Sequence, residues 1–271
     1  MPSATGAGTP DTRAGPCQAR RVGRLTYVGH ATTLIELDGV ALLTDPLLRD
    51  RLGHVRRIAA APVDLPRLDA ILISHAHRDH LDVPSLSRLP RDIPVLASAA
   101  AAEVLRRGGR EVTELAPGER TRIGSVEIAA TEASHDGRRV PVGRERDAIG
   151  FLVSGTVRLY FAGDTDLFLG MGSLSEGLDV ALLPVWGWGP RLGAGHLDPE
   201  RAARAAGLLR PRVAVPIHWG TYATPRAWWR SDPALPARAF EHFAAVHAPG
   251  VAVSILDPGR SMALAPATAE R

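Results

Sequence analysis

One short string brings four side chains of metal-ligand type together within six residues, directly after an apolar run. The string is Ser74-His-Ala-His-Arg-Asp-His80, and residues 69–73 before it read Asp-Ala-Ile-Leu-Ile. With ten histidines in 271 residues, such an arrangement is rare by chance. If these side chains bind two metal ions, six residues of one loop do not complete both coordination spheres. The fold must then bring distant ligands to the end of this predicted strand.

The spacing within the string suits metal ions. In an extended segment, residues two apart face the same way, so His75 and His77 aim their imidazoles at one ion. As the chain turns, Asp79 and His80 point into the adjacent space, where a second ion about 3.5–4 Å away would sit. A solvated polar turn is the alternative, and four ligand-type residues at one strand end argue against it.

Three later residues are candidates for the distant ligands. His135 follows a predicted strand at residues 125–130, Asp164 lies in Gly163-Asp164-Thr165 after another, and His218 ends a third. Open α/β sheets place ligand-binding groups at such junctions of strand and loop. Each residue taken singly also suits a cap or a turn, but together they match the need for further ligands.

Short apolar and β-branched runs, separated by turn signals, predict about ten strands. They cover residues 24–28, 31–37, 40–44, 70–74, 94–97, 122–129, 149–153, 157–162, 179–185, 213–217 and 251–256. Asp38-Gly39, between the second and third runs, predicts a hairpin. Helices are predicted at residues 99–107, 200–209 and 236–247, with Ser98 and Asp198 as N-caps of the first two. Because the strands come in groups, two packed mixed sheets with helices outside fit better than a doubly wound sheet.

Composition and charge narrow the class of protein further. We expect a flexible leader at residues 1–20 and one domain at residues 21–265, since no repeat or later shift in composition appears. No apolar run approaches the roughly 18 residues that cross a bilayer, and the leader holds no apolar segment of a secretory signal. A cytoplasmic location is therefore expected. A lone Cys17 excludes an intrachain disulfide and a thiol-only zinc site.

The basic residues argue against nucleic-acid binding. All 32 are arginines, set against 29 acidic residues, and they are scattered instead of forming a basic run. Scattered charge is typical of a solvated surface. A homo-oligomer is compatible with the sequence.

The order of these residue types along the chain, His-x-His-x-Asp-His, His, Gly-Asp-Thr, His, resembles the metallo-β-lactamase superfamily over about residues 24–257. The resemblance implies an α/β fold, a four-layer αββα sandwich of two mixed sheets, with two zinc ions at one edge. It assigns His75, His77 and His135 to the first ion, Asp79, His80 and His218 to the second, and Asp164 to a bridge. Antibiotic-degrading branches lack the bridging aspartate at this place, so the resemblance disfavours β-lactamase activity.

Two further strings resemble one branch of that superfamily, which contains ascorbate-6-phosphate lactonase and the phospholipase D that hydrolyses N-acyl-phosphatidylethanolamine. They are Gly29-His-Ala-Thr-Thr-Leu-Ile-Glu36 and Leu43-Thr-Asp-Pro46. Residues 195–200 and 217–221 resemble the phospholipase more closely. In that subgroup a histidine matching His196 lies near the scissile phosphate. This chain shows no obvious amphipathic membrane segment, so a phospholipid substrate does not follow.

The expected chemistry is hydrolysis of a phosphodiester, lactone or ester by a metal-bound hydroxide. A zinc pair lowers the pKa of a shared water from 15.7 towards roughly 7, so no serine or cysteine nucleophile is needed. Asp79 would bind zinc and orient the hydroxide, and His196 would donate to the leaving oxygen. His30 and Asp45 would orient ligating imidazoles, although a core histidine explains His30 equally well.

A small anionic substrate is expected. Arg138, followed by Arg139 just after His135, would grip an anionic group by bidentate hydrogen bonds. Trp186 and Trp188 would form a wall of the pocket.

Alternative functions remain open at this point. One is a metal-dependent nuclease on the same fold, although no large insertion interrupts the spacing. Another is a mononuclear iron oxygenase with two histidines and one carboxylate, against which the full second ligand set argues. Imidazole and carboxylate ligands also suit manganese and iron. A non-catalytic scaffold would be expected to have lost ligands, and none is missing.

Overall fold

The computed structural model describes residues 23–60, 64–136, 147–187, 192–224 and 232–266. The predicted leader at residues 1–20 lies outside these stretches. Two seven-stranded sheets and one three-stranded sheet hold the strands of the described residues. The predicted sandwich of two mixed sheets is thereby confirmed.

The first sheet joins an antiparallel half to a parallel half. Its strands, in spatial order, are β17 (Arg260–Leu264), β1 (Gly23–Gly29), β2 (Thr32–Leu37), β3 (Val40–Thr44), β6 (Ala70–Ile73), β7 (Val95–Ala97) and β8 (Thr113–Glu114). Pairing is antiparallel from β17 to β3 and parallel from β3 to β8. At the β2–β3 turn, Asp38 and Gly39 both have positive φ, as the predicted two-residue hairpin requires.

The second sheet has the same mixed character. Its strands, in spatial order, are β16 (Ala252–Val253), β14 (Val213–Ile217), β13 (Val180–Pro184), β12 (Arg158–Phe161), β11 (Asp147–Ser154), β10 (Val126–Asp136) and β9 (Arg120–Ile123). Pairing is parallel from β16 to β12 and antiparallel from β12 to β9. A small antiparallel sheet joins β15 (Tyr222–Ala223), β5 (Val55–Arg57) and β4 (Arg51–Leu52).

Three strand predictions were wrong in detail. Residues 122–129 form a hairpin, not one strand, because Gly124 turns the chain with a φ of 53°. Strand β10 runs on to Asp136, so His135 lies within its end instead of after it. Residues 251–256 contribute only β16, and β17 was missed because its pairing with β1 joins chain segments far apart in sequence.

The three predicted helices match their predicted positions closely, whereas a short α-helix and a 3-10 helix were not predicted. The short helix is α1 (Val83–Leu86), the predicted ones are α2 (Ala99–Arg107), α3 (Pro199–Leu209) and α4 (Leu235–His247), and the 3-10 helix lies at Met171–Ser175. The predicted caps act as expected, since the side chains of Ser98 and Asp198 accept hydrogen bonds from backbone N–H groups in the first turns of α2 and α3. None of the helices in the described ranges is long and apolar enough to cross a membrane.

Successive side chains along a strand point to opposite faces of the sheet, and this alternation explains the four layers. Leu42 and Leu72 point into the core between the two sheets, where they join Phe151 and Phe161 of the second sheet. Their neighbours Leu43 and Ile71 face the opposite side, in a cluster that includes the alanines of α2. Helices α3 and α4 cover the outer face of the second sheet through β13 and β14. With both faces covered, nearly continuous apolar strands are expected.

Close packing of α3 on α4 leads to a stability prediction. A Cβ added at Gly207 would lie 2.4 Å from the carbonyl oxygen of His247. We expect Gly207→Ala to lower the free energy of unfolding by roughly 1–3 kcal/mol despite the better helix propensity of alanine. Urea unfolding followed by circular dichroism measures the change. Gly250→Ala is the matched control, because nothing lies within 4 Å of its added Cβ, and a Gly207→Ala variant as stable as this control would contradict the prediction.

Candidate metal centre

Strand ends bring the predicted ligands to one edge of the sandwich. The string from His75 to His80 follows β6, Asp164 follows β12, His218 follows β14, and His135 lies at the end of β10. All seven predicted ligands fall into overlapping groups whose ligand atoms lie within 4.8 Å of one another. The structure therefore places the predicted ligands together.

The first group consists of His75, His77 and His135. Nδ1 of His77 lies 3.0 Å from Nε2 of His75 and 3.1 Å from Nε2 of His135. His75 is fully buried, whereas His77 and His135 are partly exposed. This group therefore faces the outside of the site.

Outer hydrogen bonds determine which nitrogen of each imidazole carries the proton. The Ser74 hydroxyl donates to the Asp45 carboxylate, so its oxygen accepts from Nδ1–H of His75 at 3.0 Å. The Gly195 carbonyl accepts from Nδ1–H of His135 at 2.8 Å. Nε2 of both neutral rings is therefore an unprotonated acceptor, and both acceptors point at the same small space.

The second group consists of Asp79, His80 and His218, with His30 beside them. Nε2 of His80 lies 3.2 Å from Nε2 of His218 and 3.2 Å from Oδ2 of Asp79. Nδ1–H of His80 donates to Asp45 at 2.8 Å, and Nδ1–H of His218 donates to the Trp186 carbonyl. In their neutral forms both rings again direct unprotonated Nε2 atoms inward.

Asp164 lies between the two groups. Its Oδ2 is 3.1 Å from Nε2 of His80, and its Oδ1 is 3.5 Å from Nε2 of His218. Oδ1 is buried and has no hydrogen-bond partner among the described residues. A buried carboxylate oxygen without a donor is costly, and converging acceptors repel one another. A divalent cation removes both costs, so these residues fit a metal.

The charges of the buried groups agree with that fit. Burial raises the pKa of Asp79, but the imidazoles of His80, His218 and His30 have a larger opposite effect. The net result is a pKa well below the ordinary value. The pKa of Asp164 is raised by burial and lowered more by His218 and His80, with the same net direction. Burial lowers the pKa of His80, and the carboxylates of Asp164 and Asp79 raise it well above the ordinary value. The centre thus favours added positive charge.

The three imidazoles of the first group are held neutral, as metal ligands must be. Burial lowers the pKa of His75 well below its ordinary value and also lowers that of His77. The pKa of His135 falls to about 4, mainly because the ring is buried.

The two supporting residues predicted from sequence lie where they can orient ligands. Asp45 binds His80, as expected of a residue that orients an imidazole. His30 instead binds a carboxylate, since its Nε2 lies 2.9 Å from Oδ2 of Asp79. The His30 ring also lies against the ring of His218, with 3.8 Å between centroids.

Of the other predicted catalytic and substrate-binding residues, two lie near the metal ligands and two lie outside the described residues. Nε2 of His196 lies 3.5 Å from Oδ2 of Asp164, and its side chain is 24% exposed. Trp186 is partly buried against the core and offers its carbonyl to His218. Arg138 and Trp188 lie outside the described residues. The roles of all four stay predictions.

Several contributors had no role in the sequence interpretation. The Ser74 hydroxyl orients His75, and the Gly195 carbonyl orients His135. The role of Ser74 could have been predicted from its position just before His75, but no sequence signal indicated the role of Gly195. A cleft of about 600 Å³ lies beside His135. Its described lining includes the carboxyl groups of Glu132, Asp136 and Asp147, which no sequence motif indicated.

Comparison with known proteins defines the class. The family model described as the Beta-lactamase superfamily domain matches residues 41–219, which contain all the predicted metal ligands. The αββα sandwich with a histidine and aspartate cluster at its edge is the architecture of metal-dependent hydrolases of the metallo-β-lactamase fold. The chain belongs to the metallo-β-lactamase superfamily.

Individual relatives agree with that placement. The chain is 34% identical over 245 residues to a metal-dependent hydrolase of Opitutus terrae, covering 86% of this chain and 100% of the relative. It is 31% identical over 226 residues to N-acyl-phosphatidylethanolamine-hydrolyzing phospholipase D 1 of Caenorhabditis elegans, covering 73% of this chain and 64% of the relative's length. A metallo hydrolase of Ignicoccus hospitalis has a similar structure, with 27% identity, a TM-score of 0.66 and coverage of 89% and 98%. The predicted superfamily and hydrolase class are confirmed.

Proposed function

We propose that the chain is a dinuclear hydrolase that cleaves a phosphodiester, lactone or ester bond of a small anionic molecule. One observation carries the proposal: on four imidazoles Nδ1 makes an outer hydrogen bond, so that their Nε2 atoms converge with two buried carboxylates. In this proposal His75, His77 and His135 hold one ion, Asp79, His80 and His218 hold the other, and Asp164 serves both. Nitrogen and oxygen ligands of this kind suit zinc, and also manganese or iron.

The two ions, when bound, would supply Lewis acidity and lower the pKa of water, so that a nucleophile is available at neutral pH. Asp79 has the contacts to orient that nucleophile, since the Nε2–H group of His30 holds one of its carboxylate oxygens at 2.9 Å. Asp164 lies 3.1 Å from His80 of the second group and within 4.8 Å of a ligand atom of His135 in the first group, so it would set the separation of the two groups.

His196 is the proposed proton donor to the leaving oxygen. Its Nδ1–H contacts the carbonyl of Gly193 at 3.1 Å, which turns Nε2 towards Asp164. The ring lies 4.6 Å from the ring of His135, centroid to centroid. His196 therefore stands at the exposed side of the centre, where a departing group would leave.

The proposed substrate is inferred from the named activity of a relative and from the size of the cleft beside His135. A volume of about 600 Å³ beside His135 suits a small molecule. A phosphodiester is the first candidate because the nematode relative is named as a phospholipase D. The carboxyl groups in the described lining do not attract an anion, so the proposal of an anionic substrate depends on Arg138.

Metal content and a substrate panel test the proposed function. We expect about two zinc, manganese or iron ions per chain when the protein is purified without chelator, and hydrolysis of at least one phosphodiester, lactone or ester. His77→Ala should lose one ion and lower kcat/KM by at least roughly 10³-fold, because an acceptor of the first group is gone. His242→Ala, an exposed histidine of α4, is the matched control. Full activity in His77→Ala would refute the dinuclear proposal.

The role of His196 has its own test. We expect His196→Gln to lower kcat by roughly 10²–10³-fold for a substrate with a poor, alkoxide leaving group. For a nitrophenyl substrate the loss should be less than about tenfold, because a good leaving group needs no proton. Metal content, measured by mass spectrometry, should not change. An equal loss on both substrates would contradict proton donation.

A further inference from the structure

His30 lies at the turn between β1 and β2, in an unusual backbone conformation. The side chain is 2% exposed. Gly29 has a φ of 134° and His30 a φ of 58°, in the left-handed region that residues other than glycine rarely adopt. Such a conformation is unfavourable and persists only where the surroundings hold it. The contacts around His30 therefore need to be strong.

Backbone contacts interlock this turn with the turn that carries His218. The backbone N–H of His30 donates to the Thr221 hydroxyl at 2.7 Å. In return, the backbone N–H of His218 donates to the His30 carbonyl at 2.7 Å. His218 is itself in the left-handed region, with a φ of 66°. Each turn therefore stabilises the strained conformation of the other.

The side chain of His30 contacts two of the three proposed ligands of the second ion. Its Nε2–H donates to Oδ2 of Asp79 at 2.9 Å, and its ring packs on that of His218 at 3.8 Å between centroids. The first group uses other supports, Ser74 and the Gly195 carbonyl.

Building on the proposed dinuclear centre, we infer that His30 is a positioning residue that orients Asp79 and His218 for the second ion and binds neither ion. One consequence is an asymmetry between the half-sites. The second ion depends on a residue from the first hairpin of the chain, whereas the first ion does not. Loss of the His30 side chain should weaken one metal-binding step only.

Metal titration of two His30 variants tests this inference without any substrate. Gln at position 30 retains an N–H donor for Asp79, whereas Leu has a side chain of similar bulk and no donor. Metal-free protein is titrated with zinc in competition with a chelating dye. For the unsubstituted chain we expect two steps. For His30→Leu the second dissociation constant should rise roughly 10–100-fold, with the first unchanged within about twofold. His30→Gln should recover most of that loss.

A control and a spectrum separate positioning from general destabilisation. Tyr222→Phe keeps the ring that lies 5.8 Å from that of His30, but removes a hydroxyl that binds the Arg49 carbonyl, and it should leave both steps unchanged. With Co²⁺ as probe, the d–d bands of the second ion should change in His30→Leu and those of the first should not.

Each other outcome overturns the inference in a recognisable way. An unchanged second step in His30→Leu refutes positioning. Equal weakening of both steps, together with a lower Tm, indicates a structural role only. Failure of His30→Gln to recover binding indicates that the imidazole is itself a ligand, which His30 could be because its ligand atom lies within 4.8 Å of those of its neighbours. Binding of only one zinc ion per unsubstituted chain refutes the dinuclear proposal itself, and the inference with it.

Discussion

Asp164→Asn is expected to lower kcat/KM by at least roughly 10³-fold and to reduce the bound metal below two ions per chain. Oδ2 of Asp164 lies 3.1 Å from Nε2 of His80 in the second group, and a ligand atom of Asp164 lies within 4.8 Å of one of His135 in the first group. Its Oδ1 atom is buried and has no hydrogen-bond partner among the described residues. Asparagine keeps the shape but removes the negative charge that two cations require. Steady-state kinetics and metal analysis by mass spectrometry measure both effects.

Asp166→Asn is the matched control for this substitution. Asp166 lies two residues further on, and its carboxylate pairs with Arg201 of α3 and accepts from the backbone N–H of Leu167. The loss of a partly exposed ion pair should cost no more than about 1 kcal/mol of stability and leave activity within a few-fold. If Asp164→Asn resembled Asp166→Asn in activity and metal content, a bridging role would be ruled out.

Removal of the metal is expected to lower the Tm by roughly 15–30 °C. Two ions that bind only the folded chain, each at about 1,000 times its Kd, contribute roughly 8 kcal/mol together. For a chain of this size about 1 kcal/mol corresponds to roughly 2–4 °C. Without cations the ionised Asp79 and Asp164 and the inward-facing imidazoles lose their compensation. Thermal unfolding followed by circular dichroism, with and without chelator, measures the shift.

Two variants calibrate the thermal shift. His77→Ala should show about half of it, because one ion is lost already, whereas His242→Ala should show all of it. Zinc added after chelation should restore the original Tm. A Tm that does not respond to chelator would mean that the cluster is stable without cations, contrary to the argument from unprotonated nitrogens.

Local sequence signals predicted much of the fold. Ser98 and Asp198 mark the starts of α2 and α3, and Asp38-Gly39 marks the hairpin of β2 and β3, because caps and turns depend on residues within a few positions. The edge strand β17 was missed, because pairing with β1 joins residues such as Tyr27 and Arg260 that are far apart in the chain. His135 was expected after a strand, and the end of β10 depends on its neighbour β11.

For the site, the sequence alone determined which side chains could bind metal and approximately where each one stands relative to its strand. Imidazole and carboxylate chemistry belongs to the residues themselves, and the spacing of His75 and His77 is local. Only the tertiary structure decided which nitrogen of each ring faces inward and what His30 contacts. Those properties depend on partners such as Asp79 and Thr221, which lie 49 and 191 positions from His30 in the chain and meet it only when the sheets pack.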